Sequence, residues 1–207
     1  MTTRGIVVAA LAATFLASAA VWAGPPTDQL RSYTEAVIRV LEDPALKVDG
    51  RRGERRAAVR RLAVEVFDVN ETARRALALH WQARTAAERE EFVALFAELL
   101  ERTFINRIDY FGGERPRFVS ESIDGDVAVV RARVVTRGGT EVPVDARLVR
   151  RGERWLVYDI AVESISLIAN YRAQFDKIIR TSSYEDLVRR LRTKQTEFLD
   201  EASRKGA

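Results

Sequence analysis

The residues that usually carry chemistry are scarce in this chain. It has no Cys and a single His, His80. Without Cys there is no thiolate nucleophile and no disulfide. A zinc or haem centre built on Cys and His is not expected, nor is any other metal or cofactor. A Ser/His/Asp triad would have to use His80, and no Gly-x-Ser-x-Gly elbow is present. Gly112-Gly113 and Gly138-Gly139 read as turns rather than as a phosphate-cradling loop. The polar residue of most interest is Asp159, set between Tyr158 and Ile160. By strict strand alternation it shares a face with Val157 and Ala161, and a carboxylate among apolar neighbours could serve as a general base with Tyr158 as donor. The same placement suits a structural Asp, bonded to a helix end or to an Arg. That reading is preferred because no second catalytic group stands at a defined spacing. His80 is expected in an exposed loop before Thr85. Arg51, Arg52, Arg55, Arg56, Arg60 and Arg61 form a basic run, read as a solvated helix face. The functional alternative is docking to an acidic partner or to lipid head groups.

The elements that would position these residues follow from periodicity. Leu30, Tyr33, Val37, Ile38 and Leu41 recur at helical spacing, and Asp43-Pro44 stops that helix. A charged helix follows from about Arg52 to Phe67. Asn70 is the expected cap of a short helix ending near Leu79. Thr85-Ala86-Ala87-Glu88 is a capping box opening the longest helix, about Ala86 to Tyr110. Its apolar stripe is Phe92, Phe96, Leu99, Leu100, Thr103 and Phe104. The period then changes. Phe118 to Ile123, Val127 to Thr136, Val142 to Leu148 and Trp155 to Val162 alternate as strands, separated by Asp124-Gly125, Gly138-Gly139 and Gly152. Ser166 to Arg180 and Tyr184 to Phe198 close the chain as helices, with Ser182 and Glu185 as a second expected capping box. The order predicts an α+β fold: a four-stranded antiparallel curved sheet with several helices segregated to one face.

The first residues read as a targeting segment. Arg4 precedes an uncharged apolar run from Ile6 to Ala20, and Val21-Trp22-Ala23 ends it with a small residue. Residues 1–23 therefore read as a secretory signal peptide cleaved near Ala23, with 24–207 as one exported domain. The whole chain carries a net charge of +4, and losing that segment removes one Arg. Export argues against nucleic acid as the partner of this charge and favours anionic lipid surfaces or acidic protein patches.

The inward face of the sheet carries Ala128, Ala132 and Ala146 among Val and Leu. The aromatic stripe Phe92, Phe96 and Phe104 is expected opposite it. Small residues facing large ones fit an interdigitated core and equally a tunnel. The pattern does not separate the two.

Two stretches resemble the MlaC family, the toluene-tolerance family of periplasmic phospholipid-binding proteins. One is TAAEREEFVALFAELLERTF, Thr85 to Phe104. The other is WLVYDIAVESISLIANYRAQFDKIIR followed by SYEDLVRRLRTK, from Trp155 to Lys194. Trp155, Tyr158, Asp159, Ser166, Tyr171, Arg172 and Phe175 occupy the family's aromatic, Tyr-Asp, Ser, Tyr-Arg and Phe places; Ser164 departs from a common Gly. The resemblance implies an NTF2-like sheet with a lipid cavity between sheet and helices. It implies no enzymatic activity. It also implies shuttling of phospholipid between an outer-membrane lipoprotein complex and an inner-membrane ABC transporter with an MCE-domain subunit, which maintains outer-membrane lipid asymmetry. A monomer suits a shuttle. The expected lipid-binding residues are Phe96, Leu100, Phe104, Val130, Val134, Val144, Leu148, Tyr158 and Ile165. The alternatives are a carrier of hopanoids or other lipids, and an NTF2-like enzyme using Asp159, the latter by fold analogy alone.

Overall fold

A computed structural model describes residues 24–48, 50–105 and 112–193. The expected signal segment, the stretch of the long helix towards Tyr110 and the end of the closing helix towards Phe198 lie outside the described residues.

Helix α1, Pro25–Glu42, starts with two prolines whose fixed φ suits the first turn. Its free N–H groups are met from far along the chain: the Thr27 N–H and hydroxyl donate to the Glu121 carboxylate at 3.1 and 2.5 Å. The Glu121 carboxylate fills the space beside Gly24, where an added Cβ would lie 1.8 Å from it and would displace that side chain. After the single turn α2, Pro44–Lys47, helix α3 spans Arg52–Val66. Helix α4, Val69–Leu77, is capped by Asp68, whose carboxylate accepts the Glu71 N–H at 2.9 Å, and not by Asn70. Helix α5, Ala86–Ile105, opens with the expected reciprocal box: the Thr85 N–H donates to Glu88 at 2.7 Å and the Glu88 N–H to the Thr85 hydroxyl at 3.3 Å. Helix α6, Leu167–Thr181, is capped by Ser166. The last helix, α7 over 184–193, is capped by Ser183, which accepts the Asp186 N–H at 3.1 Å, one residue later than the expected Ser182 box.

The sheet has five strands among the described residues, not four. Strands β1 (Pro116–Asp124), β2 (Val127–Val135), β3 (Glu141–Arg151), β4 (Arg154–Val162) and β5 (Ile165–Ser166) pair antiparallel in chain order. The fifth is a two-residue return that pairs Ile165 with Val162 and Ser166 with Ala161. At the other end of β4, Phe67 bridges Val157 and the Asp68 N–H donates to the Val157 carbonyl at 2.9 Å. That edge of the sheet is thus partly closed by short segments at both ends, which limits edge-to-edge pairing.

Two bulges matter. In β1 the register shifts between Phe118 and Ser120, leaving Val119 as the extra residue, exposed at the edge. In β4, Leu148 pairs with Val157 but Arg147 pairs with Asp159, so Tyr158 is the extra residue. The bulge flips everything beyond it. Asp159 therefore faces away from Val157, contrary to the strict alternation, and it remains on the face of Ala161.

The buried apolar residues form separate clusters. One is helical: Ala73, Ala76 and Leu77 of α4, Phe92, Leu95 and Phe96 of α5, Ile168 and Phe175 of α6, and Tyr184, Leu187, Val188 and Leu191 of α7. A second lies on one sheet face: Ala128, Val130, Ala146, Leu148, Trp155 and Val157, with Val66 of α3 and the partly buried Leu30 and Tyr33 of α1. A third, smaller one joins α1, α3 and α5 through Leu41, Val59 and Ile105. The expectation that the α5 stripe covers the sheet is corrected. Phe92 and Phe96 stack at 5.7 Å and meet Phe175 edge-on at 5.7 and 5.3 Å, so the stripe is spent on neighbouring helices. The helices that reach the sheet's apolar face are α1 and the end of α3.

Candidate functional site

The sheet face under α1 is built from short side chains. Strand pairing sets Ala128 against Leu148, Val130 against Ala146 and Ala132 against Val144. On the next strand Ala146 meets Ile160 and Leu148 meets Val157. Val130 and Leu148 are each 1% exposed, whereas Val134, Val142 and Val144, towards the other end of the same strands, are only half-buried. The face is therefore sealed at the Trp155 end and more open at the Val134 end. It shares no residue with the helical cluster. A domain usually has one contiguous core; here the apolar sheet face and the aromatic helical core are separate surfaces.

The nine expected lining residues do not gather in one place. Val130 and Leu148 lie in the sheet cluster, with Val134 and Val144 further along the same strands. Phe96 is fully buried in the helical cluster, and Leu100 packs against it. Phe104 is 42% exposed at the C-terminal end of α5 and Ile165 is 68% exposed in β5, so neither lines an enclosed interior here. Ile165 follows Glu163 and Ser164, both at positive φ, in a tight turn that throws its side chain outward. Tyr158, displaced by the bulge, borders a polar depression instead. Leu30, Tyr33, Val66, Trp155 and Phe118 join the sheet-face cluster without having been selected. The α1 stripe named Leu30 and Tyr33 as a helix face, but spacing does not say which surface that face meets.

Near the β1 edge the cover is interrupted. Between α1 and the start of β1 lies a depression of about 290 Å³ whose wall includes Arg31, Ile38, Arg115, Arg117 and Phe118. The Arg31 guanidinium sits 5.4 Å from the centre of the Phe118 ring, and Phe118 packs on the sheet-face cluster. Arg115 pairs with Glu42 and Arg117 with Glu141. Glu35 lies in the same wall, so the rim is charged with both signs, and its floor rests on the apolar interior.

Asp159 has the preferred structural role. Its side chain is 3% exposed and accepts from Arg147 Nη1 at 2.8 Å, the Ser166 hydroxyl at 2.6 Å and the Ile168 N–H at 3.1 Å. It ties β4 to β3 and to the first turn of α6, so both the helix end and the Arg are its partners. A second carboxylate, Glu71 in the first turn of α4, is also buried. The guanidinium of Arg74, reinforced by Arg75, holds it well below the usual carboxylate range, at about 2. Burial pushes the Tyr184 hydroxyl up to about 12 while it donates to the Glu88 carbonyl at 2.9 Å. His80 is not free in a loop: its Nε2 lies 2.9 Å from Asp176 on α6. Among the described residues no group of three His, Asp or Glu could hold a metal ion, and no helix is long and apolar enough to cross a membrane.

These features define an α+β protein whose antiparallel sheet turns one apolar face towards a helical cover. The family described as MlaC protein matches residues 31–193, and the chain belongs to that family. Among solved structures, it is similar to a phospholipid-binding protein from Ralstonia solanacearum in complex with a phospholipid. The identity is 23% and the TM-score 0.70, over 83% of this chain and 97% of that one. The likeness is one of fold, and it covers the sheet and its helices together.

Proposed function

We propose that this protein is a periplasmic phospholipid carrier that shelters acyl chains between the apolar sheet face and its helical cover. The observation that carries the reading is the split core: an apolar sheet face, half-open at its Val134 end, that the aromatic helical cluster does not fill. Kinship with a protein solved around a phospholipid supports it. So does the charged rim with an aromatic floor at the β1 edge, where Arg31 lies over Phe118, which suits a polar head group above and tails below.

The physical need is simple. Each methylene kept from water is worth about 0.8 kcal/mol, so a tail of roughly fifteen methylenes resists entering water by on the order of 12 kcal/mol. A carrier must offer a dry apolar surface and need do no chemistry. The sites at which lipid is loaded and released would be an outer-membrane lipoprotein complex and an inner-membrane ABC transporter with an MCE-domain subunit, with residues 1–23 directing export. Asp159 plays a structural part, consistent with a protein that is not an enzyme.

The test is lipid uptake. Delipidated protein is mixed with vesicles holding a radiolabelled phospholipid, then separated from them. Stoichiometric label in the protein fraction is the expected result; label confined to the vesicles at every ratio refutes the reading. Mass spectrometry of the extracted label separates a phospholipid from a polycyclic lipid.

A further inference from the structure

On the sheet face away from the apolar cluster, Arg147 and Asp159 meet the start of α6 at a depression of about 310 Å³. Its wall carries four guanidinium groups, those of Arg74, Arg75, Arg147 and Arg172, and a single carboxylate, Asp159. The acids nearby are already committed. Asp159 accepts from Arg147, Ser166 and the Ile168 N–H. Glu71 is held by Arg74, Arg75 and Arg151. Among the described residues Arg172 has no acidic partner, and no hydrogen bond reaches the Tyr158 hydroxyl or the Trp81 indole N–H. The carboxylates are committed and donors remain.

The shape of the wall is also held in place. Arg75 stacks over the Tyr158 ring at 3.9 Å, so the bulge that displaces Tyr158 from the strand ladder turns it towards the depression. Ala78, part of the same wall, is held at φ 48° and ψ −117°, a conformation unfavourable for a residue with a Cβ. Strained backbone persists only where its surroundings over-determine it, and it clusters at functional sites. The next residue in sequence, Leu79, is 66% exposed.

We propose that this depression is a phosphate-binding site, taking a phosphate mono- or diester between Arg172, Arg75 and the Tyr158 hydroxyl. Surplus guanidinium charge calls for an anion. Donors converging from α4, β4 and α6 suit a tetrahedral group with several free oxygens better than a planar carboxylate with two. The phosphate is either a small soluble ester or the head group of an anionic phospholipid in a bilayer, with Leu79 then dipping into the interface. The site is distinct from the apolar sheet face and does not rest on the carrier reading.

The test uses the mature chain and follows the Trp81 indole N–H by NMR while inorganic phosphate, glycerol 3-phosphate, acetate, or vesicles of phosphatidylglycerol or phosphatidylcholine are added. Arg172→Gln is the main variant, because removing an unpaired Arg strands no buried acid; Arg172→Lys keeps the charge and loses the fork. Saturable shifts with phosphate or glycerol 3-phosphate, weakened at least tenfold in Arg172→Gln and less in Arg172→Lys, support a soluble ester. A response to phosphatidylglycerol but not phosphatidylcholine vesicles, lost in Arg172→Gln, weakened in Arg172→Lys and reduced in Leu79→Ser, supports the bilayer head group. No saturable response to any phosphate probe overturns the proposal. So does an equal response to acetate, an Arg172→Gln protein that responds like the wild type, or an Arg172→Lys protein that does so.

Discussion

The two apolar clusters of this molecule are made differently. The helical cluster is interlocked aromatics: Phe92, Phe96, Tyr171 and Phe175 lie with ring centres 5.1–5.7 Å apart, drawn from two helices. The sheet-face cluster is mainly Ala, Val and Leu on a pleated surface, with Trp155 at one end, covered by one helix and the end of another. Interlocked rings tolerate no change of volume, because the neighbours cannot collapse into the gap. A shallow aliphatic face makes few shape-specific demands and can meet a flexible chain as readily as a side chain. On the proposed function, the helical cluster supplies stability and the sheet face meets the cargo.

The strongest way to break that division is Phe96→Ala. It should lower the unfolding free energy by about 3–5 kcal/mol in urea melts. A loss below 1 kcal/mol would mean that the ring cluster is not the structural core. Asp159→Asn comes next. It weakens the tie between β3, β4 and α6, and since Arg147 is partly exposed the cost should be about 1–3 kcal/mol. Lipid transfer should survive; its loss in a folded variant would return Asp159 to a functional role. Ala132→Leu sharpens the comparison from the other side. A filled core would charge about 1–3 kcal/mol for overpacking, whereas a face bordering cargo space should lose lipid occupancy with a smaller change in the melting curve.

The smallest effect is pH dependence. The folded Glu71 pKa lies at about 2, below its unfolded value near 4.5. Its contribution is therefore present above about pH 4.5 and is lost as pH falls towards 2. A Glu71→Gln protein should show a flatter stability profile across that window, measured by urea midpoint against pH, with the two curves converging at the acid end.

Much of the scaffold was legible in the sequence. The meander, its turns and the Thr85–Glu88 box are local signals, and the order of helices and strands follows from period alone. What was not legible depends on contacts between distant segments. The Tyr158 bulge breaks the two-residue period without any Gly or Pro to announce it, and it reverses the face of Asp159. The two-residue β5 is too short to show periodicity. Asp68 and Ser183 displaced neighbouring candidates as caps, since each lies within reach of the right backbone N–H and spacing alone is uncertain by a residue. Phe96 and Leu100 were recognisable as an apolar stripe, but which surface they would meet depended on α6 and α7, far along the chain. Val130, Val134, Val144 and Leu148 share one face because β2 and β3 pair without a break along that stretch.

The central claim is that the apolar sheet face belongs to a lipid. Native mass spectrometry of the protein, purified from the cells that make it and sprayed without detergent, addresses it directly. The account predicts an added mass that collisional activation releases as a phospholipid, and that Ala132→Leu diminishes. A spectrum of bare protein, unchanged after incubation with phospholipid vesicles, would contradict it.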